Sequence, residues 1–179
     1  MRRWDHVDQY FIAIEPPEAL SRRLTHVMSQ LGDEWPVPHV TVKNPVGLGA
    51  DLAWLAPARD VVSRCEPLHV VLGPVQTFDT RVLYLAVSCP GLDELHQRLV
   101  EACASGSEGI IVDDERPYVA HLTLSRSHLD DAPRVQRWLD DLEHAKPFEV
   151  HQLTIFHREL TTHYSAWSHL ALSHESSPN

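Results

Sequence analysis

Two short segments of this chain carry the same four-residue pattern, His39-Val40-Thr41-Val42 and His121-Leu122-Thr123-Leu124. In a β-strand successive side chains point to opposite faces. Each segment therefore sets a histidine and a threonine side by side on one face, with aliphatic side chains on the other. Imidazole, with an ordinary pKa of about 6.5, takes and gives protons near neutrality, and a threonine hydroxyl donates hydrogen bonds to phosphate oxygens. Two such strands set face to face make a cleft with two imidazoles and two hydroxyls, suited to acid–base chemistry on a phosphodiester. One His-x-Thr means little in a chain with 13 histidines. The weight lies in the second copy and in the matching surroundings of both.

Those surroundings repeat. Gln9 to Ile14 reads as a strand stopped by Pro16-Pro17, which open a helix whose apolar positions Leu20, Leu24, Val27, Met28 and Leu31 recur at helical spacing. Gly32 closes that helix and the His39 strand follows. Asp51 is placed to cap a helix starting at Leu52, with Pro57 breaking or restarting it. Residues 67–72 form the next strand, closed by Gly73-Pro74. Val82 to Val87 begins the unit again, followed by a helix on Leu92, Leu95, Leu99, Val100 and Cys103 and then, after a loop around 106–118, by the His121 strand. A helix over 130–142 and closing strands over 148–156 and 167–172 complete the chain. The pattern predicts an α+β fold of two pseudo-symmetric β-α-β lobes, with antiparallel sheets facing a central cleft. One two-lobed domain spans 1–174, with halves at roughly 9–73 plus the closing strands and at 80–157, and residues 175–179 form a disordered tail.

Composition narrows the function. A net charge of −10 disfavours a long nucleic-acid groove, which needs a cationic surface. A compact substrate or the end of an RNA strand fits better, with positive charge supplied locally. No segment approaches the roughly 18 uninterrupted apolar residues of a membrane span, and the first residues lack the apolar core of a signal peptide. Cys65, Cys89 and Cys103 are odd in number and without metal-type spacing. These features predict a cytoplasmic protein without a membrane partner. The histidines lack an accompanying carboxylate or thiolate cluster, even His157 and His163 around a late loop, so neither a metal nor another cofactor is expected.

Paired His-hydrophobic-Thr-hydrophobic strands in two β-α-β halves resemble the two-histidine phosphoesterase superfamily, and within it the LigT-like proteins, known as 2′-5′ RNA ligases or RNA 2′,3′-cyclic phosphodiesterases. The resemblance runs through Tyr10-Phe11-Ile12-Ala13-Ile14-Glu15-Pro16-Pro17, Pro38-His39-Val40-Thr41-Val42 and Ala120-His121-Leu122-Thr123-Leu124-Ser125-Arg126. Ala120 stands where a proline often precedes the second histidine, and Lys43-Asn44-Pro45 replaces an apolar run. The resemblance implies a metal-independent phosphodiesterase acting on a 2′,3′-cyclic phosphate or a 2′-5′ linkage of an RNA end or small nucleotide, with reversible ligation as the back reaction. It assigns His39 as proton donor and His121 as proton acceptor.

Around this pair the residues suggest further contacts. Thr41 and Thr123 donate to nonbridging phosphate oxygens. Lys43 shares the parity of His39 and Thr41 and would bring a cation to the cleft rim. Arg126 shares the parity of the buried Leu122 and Leu124, yet a twist at the strand end would swing it toward phosphate, as the family pattern implies. Tyr10 or Phe11, Tyr118 and Tyr164 are candidates to stack a base; Tyr164 also resembles an aromatic position of the family. The protein is expected to act as a monomer, with turnover following a bell in pH centred between about pH 6 and 8. A competing reading is a non-catalytic module that holds a nucleotide or RNA end in the same cleft. Two proton-transfer groups favour the enzyme, since binding alone needs neither.

Overall fold

The computed structural model describes residues 9–32, 37–78, 82–104, 117–126, 132–140, 146–158 and 164–172. In chain order the elements are β1 (Gln9–Ile14), α1 (Glu18–Gln30), β2 (Val40–Lys43), α2 (Leu55–Ser63), β3 (Leu68–Phe78), β4 (Val82–Ser88), α3 (Leu92–Ala104), β5 (His121–Ser125), α4 (Ala132–Asp140), β6 (Phe148–Val150), β7 (Gln152–Arg158) and β8 (Ser165–Ala171). The strands form one antiparallel sheet in the order β6-β3-β4-β5-β2-β1-β7-β8. The α+β fold and its two pseudo-equivalent halves are as the sequence predicts. The repeated strands β2 and β5 are neighbours at the centre, joined through the pair Val40↔Leu122, with four strands belonging to each half.

All four helices lie on the sheet face opposite the histidines. Their apolar stripes (Leu24, Val27 and Met28 of α1; Ala58 and Val62 of α2; Leu92, Leu95, Leu99 and Cys103 of α3; Val135 and Leu139 of α4) share one core with Val40, Val42, Leu122 and Leu124. α1 starts directly after Pro16-Pro17, because the first N–H groups of a helix have no partner to lose. Gly32 ends it at φ 72°, a left-handed conformation that favours glycine. The helix expected from Leu52 begins instead at Leu55, because Leu52 itself turns left-handed at φ 58°. Pro57 then falls in the first turn, where its missing N–H breaks nothing.

Three sequence expectations are corrected by the sheet. The strand predicted to close at Gly73-Pro74 continues to Phe78, its register shifting between Leu72 and Val75; proline is tolerated at such a bulge. Second, β3 does not belong with the first half: it pairs with β4 and β6 of the second. Third, the single strand expected over 148–156 is two strands broken at His151, β6 pairing with β3 and β7 with β1. The predicted helix ends at 130, 131, 141 and 142, the loop at 106–116 and the tail at 175–179 lie outside the described residues.

That break dictates the curvature of the sheet. β6 holds the first place in the strand order and β7 the seventh, yet only His151 separates them. In a flat sheet six interstrand spacings amount to roughly 29 Å, whereas one residue spans about 3.3 Å. The sheet therefore curls until β6 comes round to β7, and at that junction the β7–β8 ladder runs one rung further, the Leu172 N–H donating to the His151 carbonyl at 2.8 Å. Among the described residues, no helix is long and apolar enough to cross a membrane.

Candidate active site

Register places the two repeated motifs on one face. With Val40 opposite Leu122 in an antiparallel pair, the next positions set His39 against Thr123 and Thr41 against His121. Directly opposed side chains lie on the same side, with Cβ atoms about 4.5–5.5 Å apart. Val40 and Leu122, both fully buried, point to the helices, so the two imidazoles and two hydroxyls share the other face.

Each imidazole is held in the same way. His39 Nδ1–H donates to the Val37 carbonyl at 2.8 Å, and His121 Nδ1–H donates to the Val119 carbonyl at 2.7 Å. A carbonyl only accepts, so both neutral rings are fixed as the Nδ1–H tautomer, with the lone pair on Nε2. Aromatic rings flank each one. His39 lies 4.9 Å from Phe11 and 5.7 Å from Phe156; His121 lies 4.9 Å from Phe78 and 5.6 Å from Tyr84. The flanking rings are themselves stacked, Phe11 on Phe156 at 4.8 Å and Phe78 on Tyr84 at 3.9 Å.

Burial between these rings is the main force that lowers both histidine pKa values below the ordinary 6.5, against the backbone hydrogen bonds that raise them. The Arg126 guanidinium pushes both in the same direction, and His121 adds to the lowering at His39. Glu15 opposes it at His39. Arg126 follows the last residue of β5 in a bend. Its parity along the strand thus ceases to govern it, and its charge is felt by both rings. A half-buried pair of neutral imidazoles beside a cation is arranged to receive an anion.

The other predicted residues divide. Tyr164 stands at the edge of the same face, 4.8 Å edge-on to Phe11, its hydroxyl donating to Gln9 Oε1 and the Arg158 guanidinium 5.2 Å over its ring. Lys43 is not at the rim. Between Ala13↔Thr41 and Ile12↔Lys43 the strand carries one extra residue, and this bulge turns Lys43 to the helix side. There it is buried, donating to the carbonyls of Asn44 and Val46 and to Asn44 Oδ1, and its pKa is lowered by desolvation.

Tyr10 and Tyr118 are likewise on the helix side, so neither ring faces the histidines. Tyr10 packs among His157, Trp54 and Trp167; Phe11, its alternative, is the residue that faces His39. Tyr118 stacks on His96 at 4.0 Å and donates to the Thr41 carbonyl at 2.9 Å. Sequence reasoning missed Phe78, because it follows the Gly73-Pro74 bulge, and it missed Tyr84 and Phe156 because no motif marks them. Strand alternation counted from Phe11 and Ala13 would have found Glu15.

Among the described residues, no group of three His, Cys, Asp or Glu is gathered to hold a metal ion; His163 lies outside them.

A family model described as the 2′-5′ RNA ligase superfamily matches residues 14–162. Among solved structures, the fold is similar to that of E. coli LigT in its apo form (TM-score 0.64, 19% identity, over 94% of this chain and 99% of that one). It is similar also to TT0787 of Thermus thermophilus (TM-score 0.65, 18% identity, 93% and 99% coverage). E. coli LigT complexed with 3′-AMP matches over the same 94% and 99% at TM-score 0.59 and 18% identity. At such identities the likeness is one of fold. No curated protein sequence matches the chain.

Proposed function

Since the chain belongs to the 2′-5′ RNA ligase superfamily of two-histidine phosphoesterases, we propose that it is a phosphodiesterase acting without a metal on a 2′,3′-cyclic phosphate, or a 2′-5′ linkage, at an RNA end or in a small nucleotide. The observation that carries this reading is the shared face of His39, Thr41, His121 and Thr123, with both imidazoles held in one tautomer. In it the chain works as a single two-lobed domain, a cytoplasmic monomer.

The reaction needs three services. His121 Nε2 takes a proton from water as the water oxygen bonds to phosphorus. The bond from phosphorus to one ribose oxygen breaks, and His39 Nε2–H delivers its proton to that oxygen. Thr41 and Thr123 hydroxyls and the Arg126 cation stabilise the negative charge gathering on the nonbridging oxygens. With a 5′-hydroxyl in place of water as the nucleophile, the same two proton transfers open the cyclic phosphate, break its bond to the 3′ oxygen and join a 2′-5′ linkage. The ring pairs Phe11/Phe156 and Phe78/Tyr84 offer surfaces for a base, as aromatics do in single-strand recognition. E. coli LigT has been crystallised with 3′-AMP, ATP and phosphate, ligands of the chemical class proposed here.

Turnover of a 2′,3′-cyclic nucleotide and of a 2′-5′ dinucleotide, each with and without EDTA, tests the proposal. Hydrolysis of at least one, unchanged by chelator, is the expected result. Nucleotide binding without turnover of either would leave a non-catalytic binding module in its place.

A further inference from the structure

The two histidines look alike until the residue across the sheet from each is read. His121 stands opposite Ala86. On the other side, Ile14 pairs with Val40, so the next position sets Glu15 against His39. Ala13 is opposite both Thr41 and Thr154 and belongs to the small apolar cluster with Phe11 and Phe156, the rings that flank His39. Glu15 shares its parity, and its carboxylate is held on this face by a hydrogen bond from the buried Thr154 hydroxyl. That hydroxyl accepts in turn from His169 Nδ1–H at 3.2 Å, giving a chain His169 to Thr154 to Glu15. The second half has an alanine methyl where the first has this oriented carboxylate.

We propose that Glu15 is a positioning residue that fixes which of the two pseudo-equivalent histidines carries the proton. The inference rests on the phosphodiesterase reading and deepens it. A carboxylate facing one imidazole favours its charged form, so Glu15 biases the single proton of the productive form toward His39 and the lone pair toward His121, working against the burial of His39, and a symmetric site acquires a direction. Among the described residues, the other charged groups that act on His39 are His121 and Arg126, both of which oppose its protonation. Around Glu15, a hollow of about 490 Å³ also admits Glu18 and Arg22, which pair with each other at 3.1 Å. Glu15 is thus the one residue named among these that favours the proton on His39, and it has no effect of its kind at His121.

The test is histidine titration by NMR on the full chain, alongside kcat and KM across pH. In Glu15→Gln the His39 titration should move down by about one pH unit, with that of His121 nearly unmoved. The alkaline flank of kcat should follow His39 by the same interval, while KM changes less than kcat. Glu15→Asp should restore part of the shift, and Thr154→Val, which removes only the holder, should move His39 less and in the same direction. An unmoved His39 titration, or a loss of rate uniform across pH, would overturn the proposal. His39→Ala separates the two levels: if it retains full turnover the chemistry does not run through this histidine pair and the site reading fails, whereas an inactive His39→Ala with an unmoved Glu15→Gln titration defeats the role of Glu15 alone.

Discussion

Burial between aromatic rings holds His39 and His121 below the ordinary histidine range, so both are mainly neutral in the free protein at pH 7. The productive form, one ring protonated and one not, is most populated between two pKa values that each lie under about 6.5. The bell in kcat/KM, which reports the free enzyme, should therefore peak on the acid side of pH 6.5, lower than the sequence alone suggests. Bound phosphate raises both values, so the kcat profile should lie at higher pH than the kcat/KM profile; coincident bells would count against this account. The same shifts govern stability. An unfolded histidine binds protons at higher pH than these folded ones, so stability rises with pH through the interval up to about 6.5 and is lost as pH falls. Thermal melts at pH 5 and pH 7.5 should show a smaller difference for His39→Gln than for the parent. Replacing either histidine by alanine should lower kcat by about 10²- to 10⁴-fold, measured on the cyclic substrate. At this scale the sequence was most legible: a type and a spacing, repeated, identify the four polar residues. Glu15 carries no repeated motif; alternation from Phe11 and Ala13 marks its face, but its holder Thr154 lies on a strand distant in sequence.

The elements that hold these residues act through register. β2 and β5 meet through Val40↔Leu122, and the segment leading into β5 adds a second fastening, the Tyr118 hydroxyl on the Thr41 carbonyl. On the flanking α3, His96 Nδ1–H donates to the Val42 carbonyl at 2.7 Å, gripping the next peptide of the same strand. Tyr118→Phe keeps the ring and removes the bond, so it should cost about 1 kcal/mol in denaturant unfolding. The cost should appear with a fall in kcat larger than any change in KM. Leu122→Ala, at a fully buried position on the joint, should cost about 2–5 kcal/mol. Lys43→Met is the control for the bulge. It should lower stability by freeing the carbonyls of Asn44 and Val46, and leave KM for the phosphate substrate unaltered; a raised KM would return Lys43 to the substrate side. Strand alternation was readable from the sequence wherever strands are regular. It failed at Lys43 because a bulge inserts one residue and reverses every later parity, and β3 went unread beyond Gly73-Pro74 because a glycine and proline at a bulge look like a strand end.

Across the whole molecule, a net charge of −10 and a cation at the site in Arg126 predict a short substrate. The affinity for a short oligonucleotide should fall with salt at a slope near that of one phosphate contact, about −0.7 on a log–log plot. A slope several times steeper, measured by fluorescence anisotropy, would indicate an extended RNA interface. The sequence showed the duplication and the return of closing strands to the first half, but not the whole exchange of strands between the halves, since nothing local to β3 states which neighbour it will choose. That exchange has a consequence for synthesis. Gln9 at the start of β1 pairs with Arg158 of β7, so β1 leaves the ribosome well before β7 and waits for it before its hydrogen bonds are complete. Glu15 likewise waits for Thr154. The nascent chain cannot assemble a working histidine face in instalments, and a fragment ending before β6 should emerge as a protease-sensitive chain rather than as half an enzyme.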